Sequence, residues 1–249
     1  MSVVNKNLIL EPIARRNRQE AKQSAILRFL QQHIWSSQHI LQQVMELESR
    51  QSAYKTLSNM RSSGLLISHQ YITLGGKVTL WGITAHGQGM AFDVCKEEPV
   101  RTYFEPSRVS EQNIKHHLDL QTLRLIVEKI GWTDWIDGNR LGVLDKNAKR
   151  PDAIVKDSTG LVVAVECERT FKTTKRYEQI LISYLKLLRA NKVAKVVWVL
   201  PNVDMVKRLR KLITGIKSVK VAGQKIQIDP LKHHINLHFC SYQNWPVYD

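Results

Sequence analysis

Arg150-Pro151-Asp152-Ala153-Ile154-Val155-Lys156-Asp157-Ser158-Thr159-Gly160-Leu161-Val162-Val163-Ala164-Val165-Glu166-Cys167-Glu168-Arg169-Thr170 reads as a β-hairpin. Two apolar runs flank the loop Ser158-Thr159-Gly160, and glycine at the third loop position supplies the left-handed residue such a loop needs. If Asp157 faces Leu161, counting along both strands sets Asp152 opposite Glu166. Directly opposed side chains share one face of a sheet, about 5 Å apart at their Cβ atoms. Glu168, two residues beyond Glu166, shares that face. Asp152, Glu166 and Glu168 are therefore expected to converge, and a slip of one residue would undo the arrangement.

Neighbouring carboxylates repel one another unless a positive charge lies between them, and a hard divalent cation suits oxygen ligands. Asp152, Glu166 and Glu168 are thus the candidate ligands for Mg²⁺ or Mn²⁺, which would polarise a phosphate and help ionise a water. The apolar run from Leu161 to Val165 predicts a strand covered on both faces. Its acidic end is where sites on α/β sheets open. Cys167 alternates away and reads as a small buried hydrophobe. The helix that follows brings Lys172, Lys175, Arg176 and Tyr177. Such cations bind phosphates or stabilise the charge that builds up in phosphodiester cleavage, although any one of them alone reads better as part of a solvated helix face.

Outward from the hairpin, a helix is expected over 111–130, carrying Leu118, Leu120, Leu123, Leu125 and Ile126, with short strands and turns through Trp132, Trp135 and Leu141. Beyond it come a buried strand over 193–202, a helix through Val206, Leu209, Leu212 and Ile213, and a last strand near 234–239. Alternating strands and helices predict an α/β fold with a mixed sheet flanked by helices.

The first part of the chain has another pattern. A basic arm, Arg15-Arg16-Asn17-Arg18, leads into a helix through Ala21, Ile26, Leu27, Leu30 and Ile34. Ser36-Ser37 is the N-cap of a second helix, Gln38 to Met45. A third starts at Glu48-Ser49 with Ala53, Leu57 and Met60 inward and stops at Ser63-Gly64. Strands through Leu65-Ile67, Tyr71-Leu74 and Val78-Trp81 surround a Gly75-Gly76 turn, and a short helix starts at Thr84. Three helices followed by a hairpin is the order of a winged helix-turn-helix, whose last helix enters the major groove. That helix carries Arg50, Gln51, Tyr54, Lys55, Asn59 and Arg61 outward, side chains suited to base edges or phosphates. A protein-docking or dimerisation module with a merely solvated basic face is the alternative for the same fold.

The 249 residues hold 37 Lys and Arg against 22 Asp and Glu, a formal net charge of +15, which draws polyanions and makes DNA binding salt-dependent. Cys95, Cys167 and Cys240 lack metal-ligand spacing and leave one unpaired, which fits a reducing cytoplasm better than a disulfide framework. Met1 to Lys6 show no apolar signal core, and no apolar run is long enough to span a bilayer, so no membrane insertion is expected. The polar, proline-bearing stretch over 92–112 reads as a linker or an extended arm, giving a DNA-binding domain at 1–95 and a catalytic domain at 96–249.

Pro151-Asp152, a spacer, and Glu166-Cys167-Glu168 resemble the motif of the restriction-endonuclease-like nuclease superfamily: Pro-Asp, then Asp or Glu, any residue, and Lys. Glu168 stands where the motif has lysine. Some members carry Glu there, and Lys172 or Lys175 would then do the lysine's work. With the winged helix in front, the whole chain resembles MobC-type plasmid relaxases and the related replication-relaxation proteins. In that group the helix before the Pro-Asp strand tends to carry histidine, and His116-His117 lie in the matching helix. The resemblance implies a metal-dependent, site- and strand-specific nick at a plasmid transfer origin. DNA and relaxosome accessory or coupling proteins would be the partners. It implies His117 as a ligand or proton shuttle, with a helix-packing role as the alternative. Tyr177 and Tyr184 are candidate nucleophiles or buried tyrosines. Two other functions fit the same residues: a DNA-binding replication or transcription regulator whose nuclease-like domain is non-catalytic, and a restriction-type double-strand endonuclease.

Overall fold

The computed structural model describes residues 11–73, 75–91, 102–142 and 149–248. The chain is mixed α/β and forms two compact units, Met1–Gln121 and Thr122–Asp249. The division falls inside a helix rather than at 95/96, and most of the linker read from sequence, 92–101, lies outside the described residues, as do Met1 to Lys6 and Leu74. No helix among the described residues is long and apolar enough to cross a membrane.

The first unit runs α1 (Pro12–His33), β1 (Trp35–Ser37), α2 (Gln38–Val44), α3 (Arg50–Ser62), β2 (Leu66–Thr73), β3 (Gly76–Ile83) and α4 (Ala85–Ala91), followed by α5 (Glu111–Lys129), whose first half belongs here. Arg15, Arg16 and Arg18 are not an arm but part of α1, which Pro12 starts at a position where its missing N–H costs nothing. Ser37 and Ser49 cap α2 and α3 by accepting from the N–H groups of Ile40 (3.3 Å) and Ser52 (3.2 Å). At the end of α3, Gly64 takes φ +73°, and the N–H of Leu65 reaches back to the Met60 carbonyl at 2.9 Å. Trp35–Ser37, which the sequence pattern left unassigned, adds a short strand to the hairpin, giving the antiparallel order β1-β3-β2. The Phe104 ring lies directly on Gly82, where a Cβ would come within 2.0 Å of it.

The second unit contains the end of α5, then β4 (Thr133–Asp137), β5 (Ala153–Lys156), β6 (Val162–Cys167), α6 (Thr174–Arg189), β7 (Lys195–Leu200), α7 (Val203–Thr214), β8 (Ser218–Val221), β9 (Gln224–Gln227), α8 (Pro230–His233) and β10 (Leu237–Ser241). Its main sheet has the order β10-β7-β6-β5-β4. β10, β7 and β6 are parallel, whereas β5 and β4 run antiparallel to their neighbours. The last strand begins three residues later than the pattern suggested, because Pro230 starts a helical turn capped by Asp229 (3.0 Å to the Leu231 N–H). The β8–β9 hairpin was not anticipated, since β9 is exposed throughout and has no apolar alternation to betray it.

On one face of the sheet, Ala164, Val196, Trp198, Leu237 and Phe239 pack against the apolar sides of α6 and α7. The Trp198 indole stacks on Phe239 (5.1 Å) and meets Tyr184 edge-on (5.5 Å). Val163, Val165, Val197 and Val199, of alternate parity, are also fully buried, so β6 and β7 are covered on both faces.

Candidate functional site

The β5–β6 register is the one counted from the sequence. Ala153 faces Val165, Lys156 faces Val162, and the Asp157 N–H meets the Leu161 carbonyl at 2.9 Å. Asp157 holds this turn closed. Its carboxylate accepts from the Thr159 N–H (2.9 Å), the Thr159 hydroxyl (2.6 Å) and the Leu161 N–H (3.0 Å), with the Lys195 ammonium at 3.4 Å. Burial alone would raise the Asp157 pKa, but these bonds and the ammonium outweigh it and hold the carboxyl below its ordinary value.

At the other end the ladder breaks up around Asp152. Its N–H bonds to the Val165 carbonyl (3.1 Å), and its own carbonyl accepts from the Gly138 N–H (2.8 Å). The side chain turns to accept from the Cys167 N–H at 2.9 Å. Glu166 and Glu168 are buried, the latter continuing the parallel ladder through its N–H to Val199 (3.0 Å). Cys167 points to the opposite face, where its buried sulfur lies 3.0 Å from the Tyr242 hydroxyl.

Each carboxylate has a specific partner. Glu166 is ion-paired with Lys149 and accepts from the Tyr184 hydroxyl. Glu168 is ion-paired with Lys172. Lys149 is anchored at its N–H by the Ser183 hydroxyl of α6 (3.2 Å), and its ammonium stands 5.7 Å from the centre of the Tyr184 ring. Burial raises the pKa of Asp152 against the pull of Lys149. Burial and then the charge of Asp152 raise that of Glu166, again against Lys149. For Lys149, burial lowers the pKa, but Glu166 and Asp152 together more than compensate. Burial is thus the main cause that raises both carboxyls, and the Lys149 ammonium opposes it in each.

The chemistry of the donor set is what a metal is tested on. Asp152 and Glu166 offer hard oxygen donors, and the charge of Asp152 disfavours ionisation of Glu166, so a divalent cation beside both would offset that repulsion. Against a three-acid site, no group of three or more His, Cys, Asp or Glu among the described residues is arranged to hold a metal ion. Asp152 and Glu166 are the pair left for a cation, which would have to share Glu166 with Lys149, while Glu168 stays paired with Lys172.

Among the other expected residues, Lys172 reaches the acids and Lys175 does not: it is exposed at the start of α6 and forms no ion pair among the described residues. The exposed guanidinium of Arg176 bonds to the Gln179 side chain (3.1 Å). Tyr177 and Tyr184 are fully buried, and burial first, then the acids, raises the pKa of each. The Tyr177 hydroxyl accepts from the Lys172 N–H (3.2 Å). His117 belongs to the first unit, where its ring meets Trp35 edge-on (5.5 Å).

In the first unit, Arg50, Gln51, Tyr54, Lys55 and Arg61 are exposed on α3. Tyr54 and Arg61 flank the buried Trp81, the ring edge-on at 6.0 Å and the guanidinium at 5.7 Å. Arg61 also donates to the Ser68 hydroxyl (3.1 Å), which holds it toward β2 while Arg50, Gln51 and Lys55 remain outward.

Lys149 and Tyr184 were the residues that sequence reasoning did not bring to the acids. Lys149 stands beside Arg150, and nothing in the pair Lys149-Arg150 tells which one turns inward. Tyr184 lies seven residues from Tyr177 on the apolar face of α6, a spacing that does announce two hydroxyls on one helix side. Compared with models of known protein families, with curated proteins and with solved structures, the chain matches none.

Proposed function

We propose that the chain is a metal-dependent DNA-cutting protein of the plasmid-relaxase kind, which nicks one strand at a transfer origin. In this reading the first unit is a winged helix-turn-helix that finds the site with α3, and the second is a restriction-endonuclease-like domain that cuts. One observation supports it: Asp152 and Glu166 lie at the same end of the β5–β6 ladder and both have raised pKa values, with Lys149 beside them. Asp152 and Glu166 would hold Mg²⁺ or Mn²⁺, which supplies polarisation of a scissile phosphate and a more acidic water. Lys149, rather than Lys175, is then the cation available for the charge that develops at the phosphate. Lys172 keeps Glu168 neutralised. Because Tyr177 and Tyr184 are buried and bonded, the proposal assigns the attack to water and not to either tyrosine.

Supercoiled plasmid carrying a transfer origin, incubated with the protein and Mg²⁺ or Mn²⁺, tests this directly. Nicked circles are expected from the native chain and none from Asp152→Ala or Glu166→Ala, with DNA binding retained. Equal nicking by those variants would sink the proposal, and linear product in place of nicked circles would favour a restriction-type double-strand enzyme.

The two ion pairs favour one other reading. With Glu166 held by Lys149 and Glu168 by Lys172, the acidic centre is a stable internal network even without metal, as suits a DNA-binding replication or transcription regulator. Absence of Mn²⁺ binding to the native protein by calorimetry would favour it.

A further inference from the structure

A groove between the first turn of α6 and the second half of α7 forms a second charged feature in the catalytic unit. It encloses about 670 Å³. Arg208, Lys211, Leu212 and Gly215 line it from α7, at helical spacings of three and four that set them on one side, away from the buried Val206, Leu209 and Ile213. Thr174 and Glu178 line it from α6, and Lys217 and Ser218 from the start of β8. Three cations therefore face one carboxylate.

Two of those cations have local explanations. Lys211 lies in the last turn of α7, where a positive charge offsets the helix dipole, and Lys217 reaches the Thr214 carbonyl at 3.4 Å. Arg208 has none. It lies in the middle of α7, its guanidinium is laid over the Phe171 ring at 4.8 Å, and it has no carboxylate partner among the described residues. A guanidinium fixed over a ring keeps its N–H edge available for a planar, two-point contact with an oxyanion. The hydroxyls of Thr174 and Ser218 are further donors on the same lining.

We propose that this groove binds a phosphate of the nucleic-acid backbone a short way along the strand from the acidic centre. The proposal rests on the DNA-cutting reading given above. A backbone phosphate fits better than a base, because the one aromatic ring at the groove is already covered by Arg208. Proximity comes from a single short segment: Glu168 belongs to the acidic centre, Lys172 pairs with it, Phe171 supports Arg208, and Thr174 lines the groove. Fully extended, that segment spans no more than roughly 20 Å, or about six steps of a duplex.

The test is the salt dependence of binding of a transfer-origin DNA duplex to the full chain, read by fluorescence anisotropy in chelator. The double variant Arg208→Gln/Lys211→Gln is expected to lower the slope of log K against log salt by about 0.9, the loss of one phosphate contact on a duplex. Lys220→Gln/Lys225→Gln, which removes the same charge from the exposed β8–β9 hairpin, is expected to leave the slope nearly unchanged. An unchanged slope in the first pair, or an equal fall in both, overturns the proposal. So does specific protection of the native chain, but not the variant, by millimolar inorganic phosphate without any difference in slope, which would make the groove a site for a free phosphate ligand. Nicking is measured in parallel on the native chain. Loss of slope in a chain that does not cut would refute the cutting reading and leave the groove, whereas cutting with an unchanged slope would do the reverse. No DNA binding at all overturns both.

Discussion

The Gly138 N–H donates to the Asp152 carbonyl at 2.8 Å, and a methyl group at Gly138 would stand 2.1 Å from the carbonyl oxygen of Pro151. The glycine is thus what lets the end of β4 lie against the Pro-Asp backbone. Gly138→Ala must push Pro151 and Asp152 aside, since the obstacle is main chain and not a side chain that can swing away. The expected result is a folded protein with at least a tenfold loss of nicking and a weakened stabilisation by Mn²⁺. Native activity in that variant would show that Asp152 need not hold its position.

Asp152 also sets a pH dependence. Its folded pKa is raised, chiefly by burial, so its ionised form costs stability above that pKa and nothing below the ordinary value of 3.8. Asp152→Asn keeps an acceptor for the Cys167 N–H and removes the charge. In chelator the variant is expected to melt at the same temperature as the native chain below pH 3.8 and higher at neutral pH. Parallel melting curves across that range would refute this account.

The acidic centre was legible in part. Residue alternation and one loop glycine were enough to set the β5–β6 register from Lys156 opposite Val162 to Ala153 opposite Val165, because register follows from local turn chemistry. Gly138 and Lys149 were not legible: each matters through a partner fourteen or seventeen residues away, and no local pattern marks that. In the first unit the caps at Ser37, Ser49 and Gly64 announced themselves because their hydrogen bonds are local. The strand at Trp35–Ser37 did not, because three residues carry too little periodicity and its pairing with β3 is long-range.

Removing Lys149 should be costly to the fold. Lys149→Met leaves Glu166 buried with the Tyr184 hydroxyl as its remaining partner. Breaking a buried pair from one side costs about 3–5 kcal/mol, whereas replacing both members by apolar groups costs far less. Urea unfolding of Lys149→Met and of Lys149→Met/Glu166→Leu is expected to find the double variant the more stable of the two. The reverse order would mean that Lys149 does not act through Glu166.

Asp157 contributes in the opposite pH direction. Its pKa is depressed, so the stability it supplies is complete above the ordinary carboxyl value and is lost as pH falls through the folded one. Asp157→Ala is expected to lower the melting temperature at neutral pH and to make it less sensitive to acid below pH 4. It should also lower nicking, although Asp157 lies at the far end of the hairpin from Asp152. An unaltered nicking rate would show that the turn does not control the alignment.

Exposed turn tips are the customary places to attach a dye, a tag or an inserted epitope. Ser158, Thr159 and Gly160 are all exposed and would be chosen on that criterion. Because Asp157 closes the turn through Thr159 and Leu161, an insertion there would be felt five residues away, where the Asp152 carboxylate holds the Cys167 N–H. The glycine turn near Gly76, in the other compact unit, has no acid at the end of its strands and is the safer handle for labelling this protein.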